Sequence, residues 1–213
     1  MKTWVKVLLG GSAVAVAVLY VNMKSHHDYE RYVSVEPGDV VLDVGAGSDP
    51  GFPSFSFPAS KKASLVVALE PNPIYAEELL KAGIPNLVVV EKGAWNSQST
   101  LRLHLAGVCS SVLENGEVPV QVDTIDSIVS QMGLEGKIDF IKMDIEGAEI
   151  EALQGSENTL ANARKVVIAA YHKRDGVPTY LWVKPFLESR GFKTALTYAD
   201  MSNGLGLVHA WRQ

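Results

Sequence analysis

From Glu36 onward, short apolar runs alternate with stretches of helical period. The runs are Val40–Val44, Leu65–Leu69, Leu87–Val90, Phe140–Ile145 and Val166–Tyr171. Each is rich in Val or Ile and apolar at successive positions, so both faces must be buried. That is the pattern of parallel strands covered by helices on both sides. Helices are expected between them at Ile74–Ala82, Thr124–Met132, Ala148–Leu160 and Tyr180–Ser189. Thr100–Leu105 and Val118–Val122 alternate apolar and polar residues, which predicts an added antiparallel pair. Lys193–Tyr198 and Gly206–Trp211 flank a turn-rich segment, Asp200 to Gly204, and predict a closing antiparallel hairpin. The expected fold class is α/β, a doubly wound and mostly parallel sheet. Such sheets bind ligands beyond the carboxyl ends of their strands.

Composition narrows this only slightly. The chain has 213 residues, enough for one domain with a full core. Net charge is −5 and no basic stripe is present, so no nucleic-acid partner is expected. The one cysteine, Cys109, excludes an internal disulfide framework and a cysteine-rich zinc site. Trp4–Val21 is apolar apart from Lys6 and Ser12 and sits at the short end of the length a membrane span needs. No small-residue cleavage site follows it, so an uncleaved anchor is preferred to a signal peptide or a buried helix. Lysines and arginines flank it on both sides and leave its orientation unset. The expected organisation is an anchor or signal segment at 1–24, a linker at 25–34 and the folded domain at 35–213.

Candidate chemistry begins at Val40–Pro50, VVLDVGAGSDP. Asp43 lies near the end of the first strand, and Gly45 and Gly47 follow in the turn. Glycine there admits positive φ and lets backbone approach a ligand. A dinucleotide fingerprint would need a third glycine where Pro50 stands, so that pattern fails. The remaining D-x-G-x-G is similar to the turn of S-adenosylmethionine enzymes; a generic tight turn is the alternative. Glu70 ends the second strand, where an acid can accept hydrogen bonds from both ribose hydroxyls or simply be solvated. After the third strand, Glu91–Asn96 lies where an adenine would sit. Trp95 there could stack on the base or pack in the core.

The most informative segment is Asp139–Glu149, DFIKMDIEGAE. The two-residue strand period puts Lys142 and Asp144 on one face. A lysine in a buried strand needs a partner, and either Asp144 or Asp43 could supply it. Glu146, Gly147 and Glu149 then bring carboxylates to the strand's carboxyl end. For Glu149 and Glu151, preference for a helix start is the plain alternative.

K-x-D-x-E-G-x-E after a strand, followed by a helix ending L-x-G, resembles the FkbM-type methyltransferases. VDTIDSIV at Val122–Val129 and LQGSENTL at Leu153–Leu160 extend the resemblance over about Val40 to His172. It implies a Rossmann-like class I methyltransferase fold with an antiparallel C-terminal hairpin strand. It also implies S-adenosylmethionine as donor and O-methylation, often of sugars or natural products. On this footing Asp43, Gly45, Gly47, Glu70, Asn72, Ala94, Trp95 and Asp144 are the candidate cofactor residues. Asp144, Glu146 and His172 are the candidate catalytic ones, and the expected partner is a small-molecule or glycan acceptor. The donor is made in the cytosol, so the domain is expected to face it.

Two departures stand out. SDPGFPSFSFPASKK replaces a helix of small residues after the glycine turn, so its prolines must delay that helix or turn it into a loop. The fifth strand ends AAYHK, where His172 could be a base near neutral pH or a hydrogen-bonded loop histidine. Asp144 and Glu146 could offer oxygens to magnesium, but spacing shows no further ligand and no metal is expected. The rival functions are a membrane-tethered protein that binds the donor without catalysis and a nucleotide-dependent oxidoreductase.

Overall fold

The computed structural model describes residues 28–47, 54–104, 111–112, 116, 118–200 and 204–212. The apolar run at 4–21, with its expected anchor, and Cys109 lie outside the described residues. Among the described residues, no helix is long and apolar enough to cross a membrane.

In chain order the elements are β1 (Val40–Val44), α1 (Ser56–Ser60), β2 (Leu65–Leu69), α2 (Pro73–Lys81), β3 (Leu87–Val90), β4 (Gly93–Ala94), β5 (Ser99–His104), β6 (Ser111–Val112), β7 (Val118–Asp123), α3 (Ile125–Gln131), β8 (Phe140–Met143), α4 (Glu149–Gln154), α5 (Glu157–Asn162), β9 (Lys165–Ala169), β10 (Lys173–Arg174), β11 (Val177–Pro178), α6 (Tyr180–Ser189), β12 (Lys193–Asp200) and β13 (Gly204–Trp211). Seven strands form the main sheet in the order β12-β13-β9-β8-β1-β2-β3. β1, β2, β3, β8 and β9 run parallel, while β13 is antiparallel to both β9 and β12. The chain moves outward from β1 to β3, then returns to place β8 on the other side of β1. That reversal opens a crevice at the carboxyl ends of β1 and β8, the usual ligand position in such sheets.

The apolar runs form strands because both faces of the sheet are covered. On one face Leu42, Val44, Ile141 and Met143 join Ile125, Ile128, Ala152, Leu153, Val183 and Leu187 from α3, α4 and α6. On the other, Val41, Val66, Phe140 and Val167 pack with Ala59 of α1 and with Val33 and Val35. Tyr29 and Phe55 lie against this second cluster. Part of the stretch expected as a linker therefore packs on the sheet.

The predicted pair at 100–105 and 118–122 is present as β5 and β7, antiparallel from Ser99↔Val122 to Leu103↔Val118. β4 adds to β7 in parallel and makes a small second sheet. The proline-rich segment delays its helix: α1 begins only at Ser56 and is five residues long.

The helix expected over Ala148–Leu160 is interrupted. A side chain at Gly155 would place Cβ 2.2 Å from the Trp95 carbonyl oxygen, so the backbone there packs directly on the neighbouring loop. The Gly155 carbonyl turns away to accept from Asp126 N–H at 3.0 Å. α5 then restarts, its first-turn N–H groups at Asn158 and Thr159 donating to the Asp126 carboxylate at 2.9 and 2.7 Å. A cap supplied by another helix satisfies donors that an unbroken helix would have bonded internally.

Candidate active site

The crevice is built from the tips of β1, β2, β8 and β9. Asp43, fully buried, pairs in register with Lys142 of β8. Its Oδ1 lies 3.0 Å from Lys142 Nζ, and its Oδ2 accepts from Ser56 Oγ at 2.7 Å. Lys142 also donates to the Gly45 carbonyl at 2.8 Å. Of the two partners open to Lys142, the structure selects Asp43. The cross-strand neighbour lies within reach, while Asp144 sits beyond the strand end. Asp43 therefore braces the glycine turn from beneath.

Gly45 has φ +73°, and a Cβ on it would lie 1.9 Å from the Asp144 carbonyl oxygen. The turn is thus in backbone contact with the segment that follows β8. Glu70 is buried at the end of β2, with Oε2 accepting from Gly47 N–H at 2.7 Å and Oε1 from Asn72 N–H at 2.8 Å. Burial raises its pKa to about 7, against the lowering effect of those two N–H groups and of Lys142. Each oxygen keeps a further lone pair for a hydroxyl.

The remaining cofactor candidates sit nearby in more structural positions. The Asn72 side chain caps α2 by accepting from Ile74 N–H at 3.0 Å. Ala94 is buried in the main core. Trp95, half-buried, packs beside Leu103, Val120 and Val122.

Beyond β8 the backbone turns sharply. Glu146 adopts φ +55° and Gly147 φ +106°. The left-handed conformation is strained for a residue with a side chain. It brings Glu146 Oε2 to 3.3 Å from His172 Nε2, while Asp144 Oδ1 lies 3.8 Å from the same nitrogen. All three candidate catalytic residues therefore meet. Three further residues join them. Glu149, fully buried, holds His172 Nδ1 at 2.8 Å through Oε1 and accepts from Thr179 Oγ1 at 2.9 Å through Oε2. Tyr29 donates to Asp144 Oδ2 at 2.6 Å. Burial opposes a charge on His172, but Glu146, Glu149 and Asp144 outweigh it and raise its pKa to about 10.

Sequence reasoning missed Tyr29 and Thr179, which carry no motif. For Glu149 it left two readings open, a carboxylate converging on the strand tip and a helix-start acid.

The sequence matches the methyltransferase FkbM domain over residues 43–194. A 53-residue stretch is 38% identical to the AMB antimetabolite synthetase AmbE of Pseudomonas aeruginosa, covering 24% of this chain and 2% of that protein. Among solved structures, the fold is similar to a methyltransferase FkbM from Methylobacillus flagellatus, with a TM-score of 0.61 and 19% identity over 89% of this chain. The chain spans 48% of that protein. It is also similar to a SAM-dependent methyltransferase from Aquifex aeolicus, with a TM-score of 0.52 and 18% identity, covering 92% of this chain and 96% of that one. These two likenesses show a shared Rossmann-like, class I methyltransferase fold. The sequence match takes in both the glycine turn and the strand-tip carboxylates, and the chain belongs to the FkbM methyltransferase domain family.

Proposed function

We propose that this chain transfers a methyl group from S-adenosylmethionine to a hydroxyl of a sugar, lipid-linked or natural-product acceptor. One observation carries the proposal. The Gly45 turn touches the backbone of Asp144, so a ligand on the turn and a hydroxyl at Asp144, Glu146 and His172 share a wall. The residues suit the donor: Glu70 offers two oriented carboxylate oxygens to a vicinal diol, and Gly45 and Gly47 let backbone approach it. S-adenosylmethionine supplies, when bound, a methyl group on an electrophilic sulfonium.

The chain's own part is placement and proton handling. Glu70 and the turn fix the donor, and the strand-tip trio holds the acceptor oxygen in line with the methyl. As the new carbon–oxygen bond forms and the carbon–sulfur bond breaks, the hydroxyl proton passes to a carboxylate of Asp144 or Glu146. Asp144→Asn and Glu146→Gln should each lower turnover about 100-fold or more. Donor affinity by calorimetry should change little. The assay follows labelled methyl transfer across a panel of hydroxylated acceptors. Full turnover in both variants would refute the assignment.

A further inference from the structure

Asp144, Glu146 and His172 bring three ligand atoms within 4.8 Å of one another. We infer that they form a site for one divalent transition-metal ion of the manganese-to-zinc kind, held by Asp144 Oδ1, Glu146 Oε2 and His172 Nε2. Bonds of about 2.0–2.2 Å to one ion set neighbouring ligand atoms roughly 3.0–3.6 Å apart. The nitrogen lies 3.3 Å from Glu146 Oε2 and 3.8 Å from Asp144 Oδ1, so small inward movements complete the set.

An independent observation points to a ligand. The His172 side chain is nine-tenths buried, yet its Nε2 makes no hydrogen bond. Its other nitrogen is fixed on Glu149, which is braced in turn by Thr179 Oγ1 and Gly147 N–H. A carboxylate behind a histidine, orienting its free nitrogen inward, is the usual support of a metal-binding imidazole. The backbone contributes as well, because the left-handed Glu146 aims its carboxylate at that nitrogen. Tyr29 donates to Asp144 Oδ2, while Oδ1 lies 3.8 Å from the ring nitrogen. Charge agrees: three carboxylates surround one imidazole, and Lys142 is committed to Asp43 and the Gly45 carbonyl. An imidazole among the ligands favours manganese to zinc over magnesium or calcium. Three protein ligands leave positions open. If the methyl-transfer proposal holds, the acceptor oxygen takes one of them.

The test uses the full chain and Mn²⁺ alone, without donor or acceptor. Electron paramagnetic resonance titration should show one saturable Mn²⁺ per chain, and pulsed measurement on the unsubstituted protein should show coupling to an imidazole nitrogen. Asp144→Asn, Glu146→Gln and His172→Gln should each weaken binding about tenfold or more, with the nitrogen coupling lost in His172→Gln. Absence of saturable binding, or saturable binding without nitrogen coupling, would overturn the site, and neither depends on a variant folding. S-adenosylmethionine titrated without metal reports on the methyl-transfer proposal separately. Intact donor binding alongside absent Mn²⁺ binding would remove the ion site alone.

Discussion

At the scale of single residues, the two glycines of the first turn are not equivalent. A Cβ at Gly45 meets the Asp144 carbonyl oxygen at 1.9 Å, on backbone at φ +73°. A Cβ at Gly47 meets nothing nearer than Glu70 Oε2 at 3.6 Å, an ordinary contact. Gly45→Ala should therefore destabilise the fold by roughly 2 kcal/mol or more and abolish measurable donor binding, because it pushes β1 and β8 apart. Gly47→Ala should stay within about 1 kcal/mol of the parent in chemical denaturation. Equal losses in the two variants would show that the turn is held by something other than this contact. The motif named both positions without ranking them, since rank depends on what packs above the turn. The strand-tip residues divide the same way. Asp144 and Glu146 were legible from their place after a strand. The Glu149–His172 contact was not, because it depends on the left-handed turn at Glu146 and Gly147.

At the scale of elements, long apolar strands were legible to within a residue or two, because burial on both faces leaves an unbroken apolar run. Two-residue strands such as β4, β6, β10 and β11 are too short to show a period. The break between α4 and α5 was hidden because Gly155 is a weak signal inside an otherwise helical pattern. Its cause is a contact with Trp95, distant in sequence. Asp126 makes the break tolerable by capping α5 from the start of α3. Asp126→Ala should lower stability by about 1–2 kcal/mol, read as a lower urea midpoint with an unchanged slope. Asp126→Asn should recover part of the loss, as its amide oxygen can still accept. An unchanged midpoint in Asp126→Ala would mean that α5 is held by packing alone.

At the scale of the whole molecule, two buried groups pull the pH dependence of stability in opposite directions. Burial raises Glu70 from 4.5 to about 7, so across that window the folded state holds a proton that the unfolded chain has lost. Its contribution falls as pH rises. Burial lowers His209 from 6.5 to about 4, so there the unfolded chain holds the extra proton. Its contribution falls as pH drops. Between about pH 4.5 and 6.5 the two offset each other. Urea unfolding at pH 5, 6 and 7 should show stability rising with pH more steeply in Glu70→Gln than in the parent. In His209→Gln it should rise less steeply or fall. Parallel profiles in all three proteins would contradict this account. The bond from Lys142 to the Gly45 carbonyl spans 97 residues of chain and carries a consequence for the order of assembly. During synthesis, Asp43 and the glycine turn emerge long before the lysine that completes them. Until β8 inserts beside β1, the turn lacks the amine bonded to its carbonyl and Asp43 lacks its cationic partner. The glycine turn thus matures together with the carboxylates that follow β8, and a nascent chain stopped before Lys142 has neither.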